Sequence, residues 1–341
     1  MSRKNKVEGL EMDKDNILKI SVVMCTYNGA HYLQEQLDSI LAQSYPIYEI
    51  IIQDDCSTDE TYAVLEKYAA QYPVIKIYHN ETGLHGINGN FFSAMLRAQG
   101  DYIAISDQDD LWEKDKLKLQ AEAIGDHLLC SAFSIPFSTT GYPVKIDKRV
   151  PNTHLIRNTY ICELPGHSML FRREILDYIQ GGEVLPLYYD WQIMNAAAAA
   201  ESIVFLNKEL VHFRRHADAA TASVPVDNNI LSNGAWHYVL LSLFHHRELQ
   251  KQVRRRFATV LPFLEKLPFD TVSRKEAIYM SELQLQHGPV VFLKKVLFFL
   301  KHSRQLFHAE VHNPVIRMLR AGFFVFSCGY YYRGLIKQKI K

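Results

Sequence analysis

Cysteine is sparse in this chain of 341 residues: five, at positions 25, 56, 130, 162 and 328. They form no CxxC pair, which excludes a zinc ribbon or a thioredoxin-like site, and scattered single thiols suit a reducing compartment. No apolar run reaches the roughly 18 residues a membrane span needs. The longest candidates, PVVFLKKVLFFL and AGFFVFSCGYYY, are shorter or broken by lysines. GxxxxGK[ST] is absent, so there is no P-loop, and GLHGING (83–89) has GxxGxxG spacing where a dinucleotide fingerprint needs GxGxxG. Internal repeats are lacking, as is low complexity beyond the alanines at 196–200. The opening MSRKNKVEGLEMDKDN is polar and unlike a secretory signal, so a cytoplasmic location is expected.

What remains has the composition of an ordinary globular protein, 48% hydrophobic and 22% charged. The net charge of +1 conceals an asymmetry. Residues 235–341 hold 18 Lys and Arg against 6 Asp and Glu, leaving 20 basic and 31 acidic residues before them. An acidic front and a basic tail argue for two parts with different tasks.

The front alternates strand and helix patterns. KISVVMC (19–25), YEIIIQ (48–53), VIKIYH (74–79) and DYIAIS (101–106) are short apolar runs rich in β-branched residues, expected as buried strands. Helical spacing fills the gaps: 31–43, a helix capped by Ser57 or Thr58 and running to Tyr72, and 91–99 closed by Gly100. This order predicts an α/β fold, an open parallel sheet with helices on both faces. Beyond it, LLCSAFSIPFS, SIVFL and LVHFR are expected as strands, and 172–179 and 190–200 as helices. After Asn233 the pattern is helical and rich in Phe, Leu, Lys and Arg.

In such sheets ligands bind beyond the carboxyl ends of the strands. Three of these ends carry unusual chemistry: Cys25-Thr26-Tyr27-Asn28, Asp54-Asp55, and Asp107-Gln108-Asp109-Asp110. Three carboxylates beyond one buried strand repel unless a cation or hydrogen-bond donors compensate, and one acid would suffice as a helix cap. A divalent metal that also meets a diphosphate explains the surplus. Asp54 and Asp55 exceed what capping requires, and a carboxylate there can accept from a base N–H or a ribose hydroxyl. Tyr27 offers a ring to a nucleobase, although Asn28-Gly29 is also an ordinary turn dipeptide.

The run SVVMCTYNGAHYLQEQLDSILAQSYPIYEIIIQDDCSTDET, followed by NETGLHGINGNFFSAMLRAQGDYIAISDQDDLWEKDKL, closely resembles family-two glycosyltransferases. SDQDDLW and CTYNG are most similar to bacterial rhamnosyltransferase-type members that build surface polysaccharides. The resemblance spans about residues 19–120 and continues more weakly through PGHSMLFRREIL, YYDW and FRRH. It implies a GT-A nucleotide-diphospho-sugar transferase fold over 19–234, with a nucleotide-sugar-binding half at 19–110 and an acceptor-binding half at 111–234, after a polar leader at 1–18. It further implies an inverting transfer from dTDP-rhamnose or a UDP-hexose to a glycan or lipid-linked glycan.

Carried over residue by residue, the resemblance puts Thr26, Tyr27 and Asn28 at the nucleobase, Asp55 at the base edge, and Asp107 at ribose or metal. Asp109 would bind Mg²⁺ or Mn²⁺, with His216 of FRRH as a metal or phosphate contact and Arg214 and Arg215 neutralising diphosphate. Asp190 of YYDW would be the general base, with His167 of PGHSM and Trp191 at the acceptor. Two positions depart from the family: Cys25 where many members have Pro, and Tyr189 where close relatives have His. Inverting transfer is a single displacement with an oxocarbenium-like transition state, so one base and one cation suffice. Asp190 as a helix cap and His216 as a surface histidine remain the plain alternatives.

The basic helical region at 235–341 fits an interfacial surface against anionic lipid, or simple packing on the catalytic domain. In a helix near 292–304, Lys294, Lys301 and Arg304 would share one face, with Phe292, Val296 and Phe299 opposite. Nucleic acid is disfavoured, because the acidic front would repel it. A non-catalytic nucleotide-sugar-binding protein and a sugar-nucleotide pyrophosphorylase are the rival readings; the former would be expected to have lost acids that are present, and TYNGAHYLQ lacks the latter's Gly- and Arg-rich loop.

Overall fold

A computed structural model describes residues 17–179, 187–217, 219, 243–308 and 313–327. The elements run β1 (Ile20–Thr26), α1 (Ala30–Leu41), β2 (Glu49–Asp54), α2 (Thr61–Gln71), β3 (Ile75–His79), α3 (Gly86–Met95), β4 (Tyr102–Ser106), β5 (Leu111–Trp112), α4 (Lys116–Ile124), β6 (Leu129–Phe137), α5 (Leu155–Asn158), β7 (Leu170–Arg172), α6 (Tyr189–Ala199) and β8 (Ile203–Arg214). Among the described residues five helices follow: α7 (His246–Lys266), α8 (Val272–Leu285), α9 (Pro289–Lys301), α10 (Ser303–Leu306) and α11 (Pro314–Ser327).

Eight strands form one sheet in the order β3-β2-β1-β4-β7-β6-β8-β5. The first four are parallel, as the repeating strand–helix pattern predicts. The sheet as a whole is mixed, since β7 joins β4 antiparallel and β5 joins β8 antiparallel. The continuous apolar runs of β1 and β2 reflect burial on both faces. Val22 and Met24 join Leu33, Leu37 and Leu65 on one side, while Val23 and Cys25 join Phe91 and Met95 on the other.

Several sequence expectations needed correction. The third helix starts at Gly86 rather than at 91. The segment at Arg173–Asp177 is a 3-10 turn rather than an α-helix. SIVFL and LVHFR belong to one long strand, β8, whose pairing with β6 slips at Ala132–Ser134. Neither Ser57 nor Thr58 caps α2; Ser57 instead bonds Asp54, and the Thr61 amide donates to Asp59 Oδ1 at 3.0 Å.

The 234/235 boundary, the leader up to residue 16, Trp236 and the YYYRG cluster lie outside the described residues. The helices beyond that boundary share the core of the sheet's second face: Phe257, Phe299 and Phe324 are buried in one cluster with Val23, Ile105 and Trp191. Tyr160 meets the Phe257 and Phe324 rings, each at 5.1 Å.

Candidate active site

Register brings the chemistry to one edge. In the parallel pairs Thr26 lies opposite Asp54 and Met24 opposite Ser106, so β1, β2 and β4 finish side by side. Asn28 adopts φ 47°, a left-handed conformation that Asn tolerates. Its amide donates to Ser57 Oγ and its Oδ1 accepts the Thr58 amide, tying the first two strand-end loops together. The Tyr27 backbone is held from the acidic loop: its N–H donates to Gln108 Oε1 at 2.9 Å, and Gln108 Nε2 donates to its carbonyl at 3.1 Å. The Tyr27 ring remains 57% exposed, free to meet a planar ligand. A Cβ at Gly29 would lie 2.2 Å from Gln108 Oε1, so this clamp requires glycine.

Thr26 departs from its expected role. It is buried, and its hydroxyl donates to Asp54 Oδ1 at 2.8 Å, so its side chain is turned under the loop rather than toward a base. Asp54 also accepts from the Ser57 amide and hydroxyl, which makes it a loop anchor. Asp55 is nearly buried and holds the following loop: Oδ1 accepts from Asn80 Nδ2 and lies 2.7 Å from His85 Nδ1, and Oδ2 accepts the Gly86 amide.

The acids after β4 fall into two histidine-linked groups. Because β7 runs antiparallel to β4, its leading turn, Gly166–Ser168, sits beside the end of β4. His167 Nδ1 thereby comes 2.9 Å from Asp107 Oδ2 and 3.5 Å from Asp110 Oδ2. Its Nε2 is 2.7 Å from Ser134 Oγ on β6. Because β5 pairs antiparallel with β8, the end of β8 returns beside Asp109 and Asp110. His216 Nε2 is 2.9 Å from Asp109 Oδ2, and the Arg214 amide donates to Asp110 Oδ1 at 3.1 Å.

Burial dominates the titration here. It pushes the Asp110 carboxyl well above the usual carboxylate range, with the Asp107 and Asp109 charges acting the same way. Asp109 is raised for the same reasons, against the opposing pull of His216. For His167 burial acts downward, but the charges of Asp110 and Asp107 outweigh it and the imidazole is raised. The group thus retains a proton that separated side chains would release.

Asp107, Asp110 and His167 each offer a ligand atom, all within 4.8 Å of one another. Asp110 Oδ2 is buried without a hydrogen-bond partner, an orphaned lone-pair donor that a cation would satisfy. Asp109 and His216, expected as the metal pair, do meet, but the three-residue set is a different one. His167, expected at the acceptor, belongs to that set.

Asp190 lies in the first turn of α6, whose cap position is Tyr188. Its Oδ1 accepts the Trp191 amide at 2.7 Å. Burial raises its carboxyl to about 6, the Asp107 charge contributing, against the Trp191 amide and His167. A carboxyl near 6 suits a base at neutral pH. Tyr189 is buried on Phe91 at 4.6 Å, and a Cβ at Gly166 would lie 2.4 Å from its hydroxyl oxygen, so Tyr189 backs the turn that carries His167.

Trp191 is 2% exposed. Its indole N–H donates to the Asn158 carbonyl at 2.8 Å, and Arg256 lies over its ring at 4.5 Å. It packs between α6 and the C-terminal helices and does not reach a surface where an acceptor would sit. Arg214 is also engaged, pairing with Glu35 and stacking over Tyr32 at 4.5 Å.

The sequence profile of glycosyl transferase family 2 matches residues 21–179, covering the ends of β1, β2 and β4 and the acids that follow β4. Residues 21–179 are a glycosyl transferase family 2 domain. The chain is a glycosyltransferase, its mixed open sheet followed by C-terminal helices. TuaG of Bacillus subtilis (strain 168), a glycosyltransferase assigned to teichuronic acid biosynthesis, is 29% identical over 68% of this chain and 88% of its own length. RfbG of Shigella flexneri, a dTDP-rhamnosyl transferase, is 33% identical over 45% of this chain and 55% of its own. The solved structure of S. aureus TarS residues 1–349 with UDP-GlcNAc is 20% identical, covering 93% of this chain and 92% of that one, with a TM-score of 0.49. Asp190 and His216 of this glycosyltransferase lie beyond the matched residues.

Sequence reasoning missed the roles of three residues of this glycosyltransferase. Gln108 sits inside a recognised motif, but its grip on Tyr27 depends on the fold. Asp110 reads as one of three surplus acids suited to a cation, but its burial beside His167 and the Arg214 amide depends on the fold. Ser134 carries no local signal at all.

Proposed function

We propose that this glycosyltransferase moves a sugar, with inversion, from dTDP-rhamnose or a UDP-hexose to a glycan or lipid-linked glycan acceptor in surface polysaccharide synthesis. The observation that carries the reading is the meeting of Asp107, Asp110 and His167 at the strand-end edge, their ligand atoms within 4.8 Å of one another; the Asp190 carboxyl, raised to about 6 by burial and by the Asp107 charge, supplies the base. In this scheme Asp190 takes the proton of the acceptor hydroxyl as that oxygen attacks the anomeric carbon, and the nucleoside diphosphate departs on the opposite side. Tyr27 stacks on the base, and Asn28 and Asp55 shape the loop around it. The acid group, Asp107, Asp109 and Asp110 with His167 and His216, suits a hard divalent cation, Mg²⁺ or Mn²⁺. Asp110 Oδ2, buried without a hydrogen-bond partner, supports that fit. When bound there, such a cation would supply positive charge against the diphosphate leaving group.

The name of RfbG as a dTDP-rhamnosyl transferase supports a deoxyhexose donor, and that of TuaG supports a cell-surface polymer as product. No helix among the described residues is long and apolar enough to cross a membrane. The working place in this proposal is the cytoplasm, peripheral to the inner face of the cell membrane, where lipid-linked acceptors are met. The test is nucleotide release from a panel of dTDP-, UDP-, GDP- and CMP-sugars, with and without Mn²⁺, with product anomericity read by NMR. Metal-dependent release from a dTDP- or UDP-sugar with inverted product is expected. Turnover of GDP- or CMP-sugars alone overturns the donor assignment, and binding without release overturns catalysis.

A further inference from the structure

Helix α9 is oriented against its own composition. Lys295 is 6% exposed, with Nζ donating to the Gln286 carbonyl at 3.2 Å, while Leu293 and Leu297 are 57% and 56% exposed. The packed face is the one carrying Phe298 and Phe299, in the core shared with Phe324. Phe299, expected on a lipid-facing side, is therefore inside. The outward apolar face is Val290, Leu293 and Leu297, beside exposed Lys294 and Lys301. Helix α11 packs on α9 and presents Ile316, Leu319 and Phe323 to the outside. Two adjacent helices with leucines out and a lysine in form an apolar surface of the kind that marks an interaction site.

Two hollows give this surface its chemistry. One, between α9 and α11, has about 330 Å³ and is lined, among the described residues, by Leu300, Met318, Leu319, Gly322, Phe323 and Phe326. The other, about 360 Å³, lies between α7 and α9 and gathers His246, Arg247, Lys251, Arg254, His287 and Lys295, with no carboxylate among the described residues that line it. Glu248, the nearest acid on α7, pairs with Lys251 at 3.6 Å. The Phe326 ring is 5.2 Å from His246 and 5.5 Å from Phe292, so it forms the wall between the basic hollow and the apolar one. Residues 287–341 contain ten Lys and Arg and a single acid, Glu310.

We propose that α9 and α11 dock on an anionic phospholipid bilayer, with their leucines among the acyl chains and the α7–α9 hollow on a lipid phosphate. The inference rests on the membrane-side working place proposed above and names the surface that makes the contact. Basic groups beside an exposed apolar face complement a negatively charged leaflet, and neither feature alone would give stable attachment. The helices rest on the sheet's core through Phe299 and Phe324, so the docked face holds the catalytic edge in a fixed relation to the membrane.

The full chain should sediment with vesicles of equimolar phosphatidylglycerol and phosphatidylcholine at about 0.05 M salt and be released at about 0.5 M. Leu293→Glu/Leu297→Glu should weaken vesicle binding by roughly a hundredfold, and Arg247→Gln/Arg254→Gln by about tenfold. Both variants should keep the wild-type melting temperature and nucleotide release, since neither touches the core or the acids. Failure of the wild-type chain to sediment, or leucine variants that bind unchanged, overturns the proposal. Equal binding to pure phosphatidylcholine overturns the role of the basic hollow. A wild-type dimer that the leucine variants dissociate would give the face to a second copy, and a lowered melting temperature would give it to this chain's own residues; either overturns the proposal. Vesicle binding that follows the variants in a chain releasing no nucleotide would leave the surface standing and defeat the sugar-transfer reading instead.

Discussion

His167 Nδ1 lies 2.9 Å from Asp107 Oδ2, joining residues sixty positions apart in the chain. The imidazole is buried, its other nitrogen meets Ser134, and Asp110 lies behind it. A histidine so held fixes where the carboxylates point before any substrate arrives.

Transfer should depend on a divalent ion. EDTA is expected to abolish sugar transfer, with Mg²⁺ or Mn²⁺ restoring it, and Asp109→Ala should lower turnover by about a hundredfold or more. Full activity in EDTA removes the metal from the scheme.

Asp190→Asn keeps the shape and the Trp191 contact but removes basicity. Turnover should fall by about 10²–10⁴ while donor affinity, read by calorimetry, stays within about twofold. With the carboxyl at about 6, wild-type kcat/KM should fall as pH drops through 6, where the base becomes protonated. That limb should vanish in the variant.

The buried Asp110 carboxyl opposes folding once ionised. Its folded pKa lies above the unfolded value, so its contribution is complete below the ordinary carboxylate range and is lost as pH rises through the raised value. In EDTA at neutral pH, Asp110→Asn should raise the melting temperature by about 2–4 °C and flatten the decline of stability with pH. Transfer activity should fall at the same time. Calorimetry against pH checks the first part, and an unchanged or lower melting temperature contradicts it.

The Gly29–Gln108 contact should behave as a unit. Gly29→Ala places a methyl where Gln108 Oε1 now lies, 2.2 Å from the new Cβ. Donor KM should rise by about tenfold, and Gly29→Ala/Gln108→Ala should be markedly milder than the product of the single effects. Strict additivity would mean that Gln108 does not hold the Tyr27 loop.

Trp191→Phe tests packing against acceptor contact. Loss of the bond to Asn158 and of buried ring area should cost about 1–3 kcal/mol in chemical denaturation, with acceptor KM unchanged. A raised acceptor KM at full stability would return Trp191 to the acceptor site.

The strands β1 to β4 were legible because each is an unbroken apolar run between polar turns, and burial on both faces demands such a run. The polar residues that follow each run then had to stand at the sheet's edge. Tyr27, Asp55, Asp107 and Asp109 could therefore be placed at that edge from the chain alone, as could the helix bearing Asp190. The orientation of each side chain at that edge was not legible. Thr26 and Tyr27 are neighbours, yet one hydroxyl is buried on Asp54 and the other ring is exposed. Only the antiparallel insertion of β7 beside β4 brings His167 to Asp107, and only the return of β8 beside β5 brings His216 to Asp109. These pairings join residues 60 and 107 positions apart, beyond the range of any local pattern. The same holds for α9: its spacing permits more than one buried face, and competition for the core, won by Phe298 and Phe299, turns Lys295 inward and the leucines out. Local burial patterns determined which residues reach the site, while tertiary packing decided which of them touch.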